Sequence, residues 1–294
     1  MKFRALLFLA AALIFAIPTA FASGPFPVTA TAALVKTGNQ VVWSHQADKR
    51  LPPASLTKVM TSLIVLEQAD LDAVVRVSAS AAAELGSRLQ LHEGDQLYVG
   101  DLLAALLIRS ANDAAHALAC HIAGSQEKFV TLMNRRAAEL GLTNTRFQNA
   151  SGWDHPQHYS TAADLARLTE YAMHNKVFRN LVSMEELQIQ TLNGERTWDI
   201  KNSNKLLGHY DGLMGVKTGY TSKAGPCLIA LAERGTEQVL VVLLNSPKRW
   251  EETPQVMDWV FHRNARTAER NSTAVFAASE SPAPATGHPQ KLEN

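Results

Sequence analysis

Segments rich in β-branched residues lie at both ends of the chain and enclose a long helical block, which limits the folds it can adopt. The patterns predict strands over Val28–Val35 and Gln40–His45, and again over Gly225–Ala232 and Gln238–Leu244. From about residue 79 to residue 180, apolar residues recur mostly at helical spacing. This order predicts an α/β (α+β) fold in which an antiparallel sheet is flanked by helices and carries a mostly helical insertion.

The first 22 residues have the three parts of an export signal. Lys2 and Arg4 give a positively charged start, Ala5–Ile17 is almost entirely apolar, and Ala20-Phe-Ala22 offers small residues for cleavage before Ser23. The apolar run is shorter than the roughly 20 residues that cross a bilayer. We therefore expect a signal peptide over residues 1–22 and an exported product, periplasmic or secreted, with no stable membrane anchor.

The other end of the chain changes composition. The apolar stripe of Val256, Trp259 and Val260 predicts a last helix, and after about residue 265 the chain is rich in Ser, Ala, Pro, Thr and Gly. That composition is typical of disorder, so we predict one folded domain over residues 23–265 and a disordered tail over residues 266–294. A formal net charge of +1 argues against a nucleic-acid partner.

Three short motifs follow one another inside the predicted domain. They are Ser55-Leu-Thr-Lys58, Ser110-Ala-Asn112 and Lys217-Thr218-Gly219. Each motif alone arises easily by chance. All three together, in this order and in suitable local contexts, match the active-site set of penicillin-interacting serine acyltransferases.

The first motif places a nucleophile beside a base. Residues three apart on a helix share a face, so Lys58 is expected one turn from Ser55. Lysine accepts the serine proton only if burial or a nearby positive charge lowers its pKa, and Lys217 is a candidate for that charge. The start of a helix also favours a developing oxyanion. The alternative is an ordinary helix start with a solvated lysine.

The second motif follows an apolar run at a predicted helix entrance. Ser110 is a candidate proton relay between Lys58 and a leaving amine, and Asn112 offers a donor and an acceptor to a peptide backbone. The alternative, which is compatible with these roles, is N-capping of a helix that begins near Asp113.

The third motif is expected on a strand at the edge of a cleft. Such a strand can bind an extended substrate, and Gly219 would leave room for its close approach. Lys217 and Thr218 are candidates for holding a terminal carboxylate. The backbone N–H groups of Ser55 and Tyr220 would form an oxyanion hole. The alternative is a glycine-rich strand end without function.

Other polar residues carry weaker patterns. Asp154, His155 and His158 share a loop, but nothing completes a metal-ligand set. His116 and His121 are expected to be structural. Arg249 alone is an ordinary surface arginine. The two cysteines are too few for a disulfide framework, and if the motifs share one cleft their sulfurs are too far apart to bond, so we expect free thiols.

With these motifs the chain resembles the low-molecular-weight penicillin-binding proteins, specifically the serine-type D-alanyl-D-alanine carboxypeptidases. The likeness extends from about residue 28 to residue 262. Further matching strings are Pro53-Ala-Ser-Leu-Thr-Lys-Val-Met60, Ala123-Gly-Ser-Gln126, Met133-Asn134, Leu140-Gly-Leu-Thr-Asn-Thr145, His158-Tyr-Ser-Thr-Ala162, Asn202-Ser-Asn-Lys-Leu-Leu207 and Lys223-Ala-Gly225. The resemblance implies a β-lactamase/transpeptidase-like fold.

The resemblance also implies a reaction and its residues. Ser55 would attack the carbonyl between two D-alanines of a peptidoglycan stem peptide, with Lys58 as base and Ser110 as relay. Asn112 would contact the substrate, while Lys217, Thr218 and a less well matched Arg249 would bind the carboxylate. Penicillins would acylate Ser55 as covalent inhibitors, and no metal or organic cofactor is implied.

Two departures from the family pattern keep alternatives open. Several members carry a C-terminal β-domain and an amphipathic membrane helix, whereas a polar tail follows here. That difference favours a free enzyme and gives weight to a D,D-endopeptidase that cuts D-alanyl cross-links. Between residues 140 and 169 there is no glutamate of the kind that class A β-lactamases use for deacylation, so efficient penicillin hydrolysis is not expected. The third hypothesis is a non-catalytic binder of cell-wall peptides.

Overall fold

Strands from both ends of the chain form one antiparallel sheet. The computed structural model describes residues 28–279, with side chains up to residue 267, so the predicted signal peptide and residues 280–294 of the predicted tail lie outside the described residues. The strands are β1 (Ala32–Thr37), β2 (Gln40–His45), β3 (Val74–Arg76), β4 (Gln96–Tyr98), β5 (Glu186–Gln190), β6 (Thr197–Lys201), β7 (Leu213–Thr221), β8 (Gly225–Arg234) and β9 (Glu237–Leu244). Five of them pair in the order β2-β1-β9-β8-β7, which places β7 at an edge.

Both faces of this sheet are buried, which explains the nearly continuous apolar runs of β8 and β9. On one face Leu34 and Val242 pack in the larger core, while on the other Val35 and Val241 pack against the last helix. Since successive side chains of a strand point to opposite faces, a strand that is covered twice must be apolar at nearly every position. The predicted α+β architecture is confirmed.

The helices form a layer on each side of the sheet. They are α1 (Lys58–Gln68), α2 (Ala79–Ala82), α3 (Val99–Ala104), α4 (Asn112–Ala123), α5 (Gln126–Glu139), α6 (Ala162–Ala172), α7 (Lys176–Ser183) and α8 (Arg249–Ser279). α1 contacts α4, α5, α6 and α7 and is therefore the central helix of the larger core. α8 packs on β8 and β9 from the opposite face.

The structure differs from the predicted elements at four places. β1 begins at Ala32 rather than at residue 28, and neither the hairpin of β3 and β4 nor that of β5 and β6 is predicted. α8 continues to Ser279, so residues 266–279 are helical where the sequence predicts a disordered tail. Among the helices of the described residues, none combines the length and apolar character needed to cross a membrane.

Candidate active site

Ser55 lies in a tight turn that leads directly into α1. Residues Ala54–Thr57 form a 3-10 helix, so the predicted helix start is correct, but its first turn is not α-helical. Ala54 is buried with a φ of +49°, a left-handed conformation that is unfavourable for a residue with a side chain. Strain of this kind persists only where the surroundings hold it, and it concentrates at functional sites.

Gly152 helps to hold this turn from behind. A Cβ built at Gly152 would lie 1.9 Å from the carbonyl oxygen of Ala54 and 2.9 Å from Oγ1 of Thr57. Only a residue without a side chain fits there, and its φ of +87° also favours glycine. The loop around Gly152 therefore packs directly on the backbone that presents Ser55.

Lys58 is buried and hydrogen-bonded to three oxygen atoms. Its Nζ lies 3.0 Å from Ser55 Oγ, 2.7 Å from Asn112 Oδ1 and 2.7 Å from the carbonyl oxygen of Ser151. A neutral amine has two N–H groups and one lone pair. The two carbonyl oxygens can only accept, so they take both N–H groups and leave the lone pair for the hydroxyl of Ser55.

Burial and a second lysine hold the pKa of Lys58 well below its ordinary value. Loss of solvent is the larger cause and the positive charge of Lys217 is the next, while the carboxylates of Glu84 and Asp113 act in the opposite direction. Burial also lowers the pKa of Lys217 to about 7. The environment thus favours a neutral amine on Lys58, as the sequence motif requires of a base.

Ser110 and Asn112 are presented by an irregular turn between α3 and α4. Residues Ala105–Arg109 form a π-helical turn, and Ser110 ends it with a φ of +67°. The N-cap of α4 is Ala111, and no side chain caps the helix, so neither Ser110 nor Asn112 has the capping role of the alternative interpretation.

Asn112 is fixed in orientation by two partners. Its Nδ2 donates to the carbonyl oxygen of Leu85 at 2.6 Å, while its Oδ1 accepts from Lys58. The amide oxygen that the sequence analysis assigned to substrate binding therefore contacts the base instead. One N–H of Asn112 is left for a ligand, because a side-chain amide has two.

The strand β7 brings the third motif beside Ser55. A Cβ built at Gly219 would lie 3.1 Å from the amide nitrogen of Ser55 and 3.1 Å from the Cβ of Ala54. The glycine therefore allows the strand to approach the nucleophile segment. The sequence predicts room for substrate at this glycine, and its close contact with the Ser55 turn is an additional feature that was not predicted. Tyr220 is exposed at the mouth, and Lys217 is buried beneath the strand.

A cleft of about 520 Å³ joins the motifs. Ser55, Ser110 and Asn112 line it from the helical side, and Thr218, Gly219 and Tyr220 line it from β7. Lys58 and Lys217 are buried and do not line it. The other seven predicted site residues all line this one cleft. They are Ser55, Ser110, Asn112, Thr218, Gly219, Tyr220 and Arg249.

Arg249 reaches this cleft from the start of α8. Its guanidinium lies over the ring of Trp250, 4.7 Å from the ring centre, and burial lowers its pKa. Its Nε is buried, and among the described residues it has no hydrogen-bond partner. A buried donor without a partner costs free energy, and an anionic ligand would supply the missing acceptor.

Two further contacts hold the walls of the cleft, and neither is predicted from the sequence. Oδ1 of Asn149 accepts hydrogen bonds from the backbone N–H groups of Gly152 and Trp153, and this turn carries the Ser151 carbonyl that contacts Lys58. Asn residues favour such turns, so the pattern Asn149-Ala-Ser-Gly152 was a detectable indication. On the opposite wall, the hydroxyls of Ser203 and Thr218 share a hydrogen bond at 2.5 Å.

His158 has a structural position behind the site. Its Nδ1 accepts from the N–H of Gln148, so its Nε2 carries the proton and donates to Thr57 Oγ1 at 2.9 Å. Burial lowers the pKa of His158 to about 4, which keeps the ring neutral. Cys120 and Cys227 are both free thiols, as predicted.

A family model described as D-alanyl-D-alanine carboxypeptidase matches residues 20–248. The chain belongs to this peptidase family. D-alanyl-D-alanine carboxypeptidase DacF of Bacillus subtilis is 35% identical over 230 residues, which cover 76% of this chain and 59% of that protein. DacC of Escherichia coli, of the same description, is 37% identical over 237 residues, covering 76% of this chain and 58% of that protein.

The solved structure of a Streptomyces DD-transpeptidase has a similar fold. It superposes with a TM-score of 0.77 at 32% identity and covers 80% of this member of the family and 98% of that chain. The predicted transpeptidase-like fold is thereby confirmed. The chain spans about three fifths of the length of the Bacillus and Escherichia relatives.

Proposed function

We propose that this chain is a serine D,D-carboxypeptidase that removes the terminal D-alanine from peptidoglycan stem pentapeptides. One observation carries the proposal: the amine of Lys58 is buried, its pKa is lowered, and it lies 3.0 Å from Ser55 Oγ with its other two hydrogen-bonding positions occupied by carbonyl oxygens. A non-catalytic binder would not need a serine and a neutral base arranged in this way.

The first half-reaction forms an ester on Ser55. Lys58 takes the proton of the Ser55 hydroxyl, Oγ bonds to the carbonyl carbon, and the backbone N–H groups of Ser55 and Tyr220 stabilise the oxyanion. The carbon–nitrogen bond then breaks, and the leaving amine takes the proton from Lys58 through the hydroxyl of Ser110. D-Alanine departs with its carboxylate and a neutral amine, which takes a second proton from water.

The second half-reaction restores the serine. Lys58 takes a proton from water, the hydroxide oxygen bonds to the ester carbonyl, and the bond from that carbon to Oγ breaks. The proton returns to Ser55 and the shortened peptide leaves. Every step uses side chains, backbone N–H groups and water, so the proposed reaction requires no metal or organic cofactor. A β-lactam would form the same ester and act as a covalent inhibitor.

The terminal carboxylate of the substrate would contact Thr218 and Arg249 in the cleft, and the buried amine of Lys217 would contribute its positive charge to the binding. The unpartnered Nε of Arg249 supports this assignment, because a carboxylate would satisfy it. We further propose that residues 1–22 direct export and are removed, so that the enzyme works in the periplasm or as a secreted protein. The catalytic domain would then extend from residue 23 to about residue 265, and α8 continues beyond it to Ser279.

Mass spectrometry of peptide products tests the proposal. Purified residues 23–294 are incubated with pentapeptide monomers and with cross-linked dimers. Loss of one alanine from monomers with dimers intact supports the carboxypeptidase, whereas dimers split into monomers support the D,D-endopeptidase alternative. No change in either substrate would overturn both and leave the binding hypothesis.

Labelling with a fluorescent penicillin tests the nucleophile. Ser55→Ala should abolish labelling, while Ser183→Ala, which removes a hydroxyl at the end of α7, should label like the parent. Equal labelling of Ser55→Ala and the parent would overturn the assignment of Ser55.

A further inference from the structure

The walls of the active-site cleft carry more positive charge than the protein as a whole. The chain has a formal net charge of only +1 over 294 residues. Along the cleft, however, Arg109, Lys205 and Arg249 oppose a single carboxylate, that of Asp154. Oδ1 of that carboxylate accepts a hydrogen bond from Thr221 at 2.6 Å. The cleft is therefore suited to a ligand with more than one negative charge.

Two of these cations, Arg109 and Lys205, lie on adjacent segments of the cleft wall. The N–H of Ser203 donates to the carbonyl oxygen of Ile108 at 3.2 Å, which joins the segment that carries Lys205 to the one that carries Arg109. The hydroxyl of Ser203 also shares a hydrogen bond with that of Thr218, so these segments reach β7 at Thr218. Asp154 is bonded to Thr221, the last residue of β7.

Neither Arg109 nor Lys205 has a charged or hydrogen-bonding partner for its side chain among the described residues. Both side chains are exposed. By contrast, Arg196 is paired with Asp95 and Arg136 with Glu67. Two unpaired cations that face one cleft are available for a ligand.

The proposed reaction fixes which part of the substrate these cations meet, and the inference rests on that proposed function. With the terminal carboxylate at Thr218 and the reacting carbonyl at the N–H groups of Ser55 and Tyr220, the acyl part of the substrate extends towards Thr221. The leaving group extends in the other direction, towards Arg109 and Lys205.

We propose that Arg109 and Lys205 form a subsite for a second carboxylate on the leaving group. The enzyme would still release D-alanine, and an acidic amino acid or acidic peptide as leaving group would gain an additional contact at this subsite. A cross-linked stem peptide has a leaving group of this class, since the released strand carries further carboxylates. The subsite would thus extend the enzyme's range towards cross-link cleavage.

Three dipeptides with one acyl group and different leaving groups test the subsite. The acyl-D-alanyl group is joined to D-alanine, D-glutamate or D-glutamine, and release of each leaving amino acid is followed by mass spectrometry. D-Glutamate and D-glutamine have nearly the same shape, so their ratio of kcat/KM isolates the charge. We expect D-glutamate to be preferred by about fivefold at low salt, the scale of a partly exposed ion pair. The preference should vanish near 1 M salt, where screening extends over about 3 Å.

Charge-removing variants locate the effect. The double variant Arg109→Gln and Lys205→Gln should bring the D-glutamate to D-glutamine ratio close to one, and Arg109→Lys should keep a ratio above one. The matched control Lys201→Gln removes an exposed charge from the nearby strand β6, outside the cleft, and should keep the parent ratio. Penicillin labelling of each variant reports that the nucleophile region is folded.

The outcomes separate this inference from the proposed function. If the parent releases D-glutamate and D-glutamine equally well while it hydrolyses D-alanyl-D-alanine, the subsite is wrong and the carboxypeptidase stands. A preference that survives in the double variant also overturns the subsite. If no leaving group is released and penicillin does not label Ser55, the proposed function itself fails.

Discussion

Gly219 on β7 lies against the amide nitrogen of Ser55, at a distance where a Cβ atom would be only 3.1 Å away. The same Cβ would meet the carbonyl oxygen of Pro53 at 3.3 Å. β7, which is proposed to hold the substrate, therefore packs closely on the turn that carries Ser55. There is too little space between them for a methyl group at Gly219. Their spacing determines where the two N–H donors of the proposed oxyanion hole lie.

Gly219→Ala should therefore slow acylation strongly while leaving a folded protein. The methyl group would lie 3.1 Å from the amide nitrogen of Ser55, so β7 and the Ser55 turn must separate by a few tenths of an ångström, which moves the N–H of Tyr220 relative to that of Ser55. Loss of one oxyanion donor typically costs about 100- to 1,000-fold in rate. The measurement is the second-order rate constant of penicillin acylation, followed by mass spectrometry.

Gly100→Ala is the matched control for this change. Gly100 also has an ordinary φ, and its nearest contact to an added Cβ is 3.4 Å, so the methyl group fits. This variant should acylate like the parent. If Gly219→Ala acylates as fast as Gly100→Ala, the spacing between β7 and Ser55 does not set the rate.

The rate of acylation should rise with pH as Lys58 loses its proton, and the midpoint should respond to neighbouring charges. Lys217→Met removes a positive charge that lowers the pKa of Lys58, so the midpoint should move to higher pH. Glu84→Gln removes a negative charge that raises this pKa, so the midpoint should move to lower pH. Profiles of acylation rate against pH measure both shifts.

Thr218→Ala separates the effect of charge from the effect of binding. It removes a proposed carboxylate contact from the same strand without changing the charge near Lys58. The acylation rate should fall at all pH values with an unchanged midpoint. Midpoints that are the same in Lys217→Met and Glu84→Gln would contradict the assignment of the titrating group to Lys58.

The sequence predicted the parts of the site but not the contacts between them. Local patterns identified the strands of the main sheet and the helix that begins near Ser55, because apolar periodicity is a local property. Lys58, however, meets Asn112 and Ser151, which are 54 and 93 residues away along the chain. No local pattern specifies such contacts.

The hairpin of β5 and β6, which is not predicted above, has a signature in the local sequence. β5 and β6 alternate apolar and polar residues, with Ile189 and Ile200 buried, and Asn193-Gly194 lies in the connection between them. Asn-Gly between alternating runs favours a hairpin. The exact ends of β1 and α8 could not be predicted in the same way, since tertiary packing sets where pairing begins and where a helix stops.

The neutral ring of His158 should make stability depend on pH between about 4 and 6.5. Its pKa is about 4 in the folded protein and 6.5 ordinarily, so in this range the unfolded chain binds the extra proton. Stability therefore falls as the pH drops from 6.5 towards 4, and the total loss is about 3 kcal/mol once the pH is below both values. Urea unfolding across this range measures the free energy of unfolding.

His158→Gln removes the titrating group and should flatten this part of the profile. The variant should also be less stable at pH 7, since glutamine cannot reproduce both ring contacts, with Gln148 and Thr57. His45→Gln, at an exposed position on β2, should keep the parent slope. Equal slopes in His158→Gln and the parent would assign the pH dependence to other groups.

Gly152→Ala should destabilise the fold and also slow acylation, because its methyl group would collide with the carbonyl oxygen of Ala54. Backbone strain at a positive φ contributes about 1 to 2 kcal/mol for any residue with a side chain. The collision adds to this cost, since the Ala54 backbone must move and Ser55 moves with it. Urea unfolding and the rate of penicillin acylation measure the two effects.

Gly194→Ala provides the strain without the collision. Gly194 has a φ of +70°, close to the +87° of Gly152, but an added Cβ there would meet no atom within 4 Å. The free energy of unfolding of Gly194→Ala should fall only by the cost of the strain, and the variant should acylate like the parent. The difference in unfolding free energy between the two variants is then the cost of the contact behind Ser55. A difference near zero would mean that the loop around Gly152 can retreat without disturbing the nucleophile.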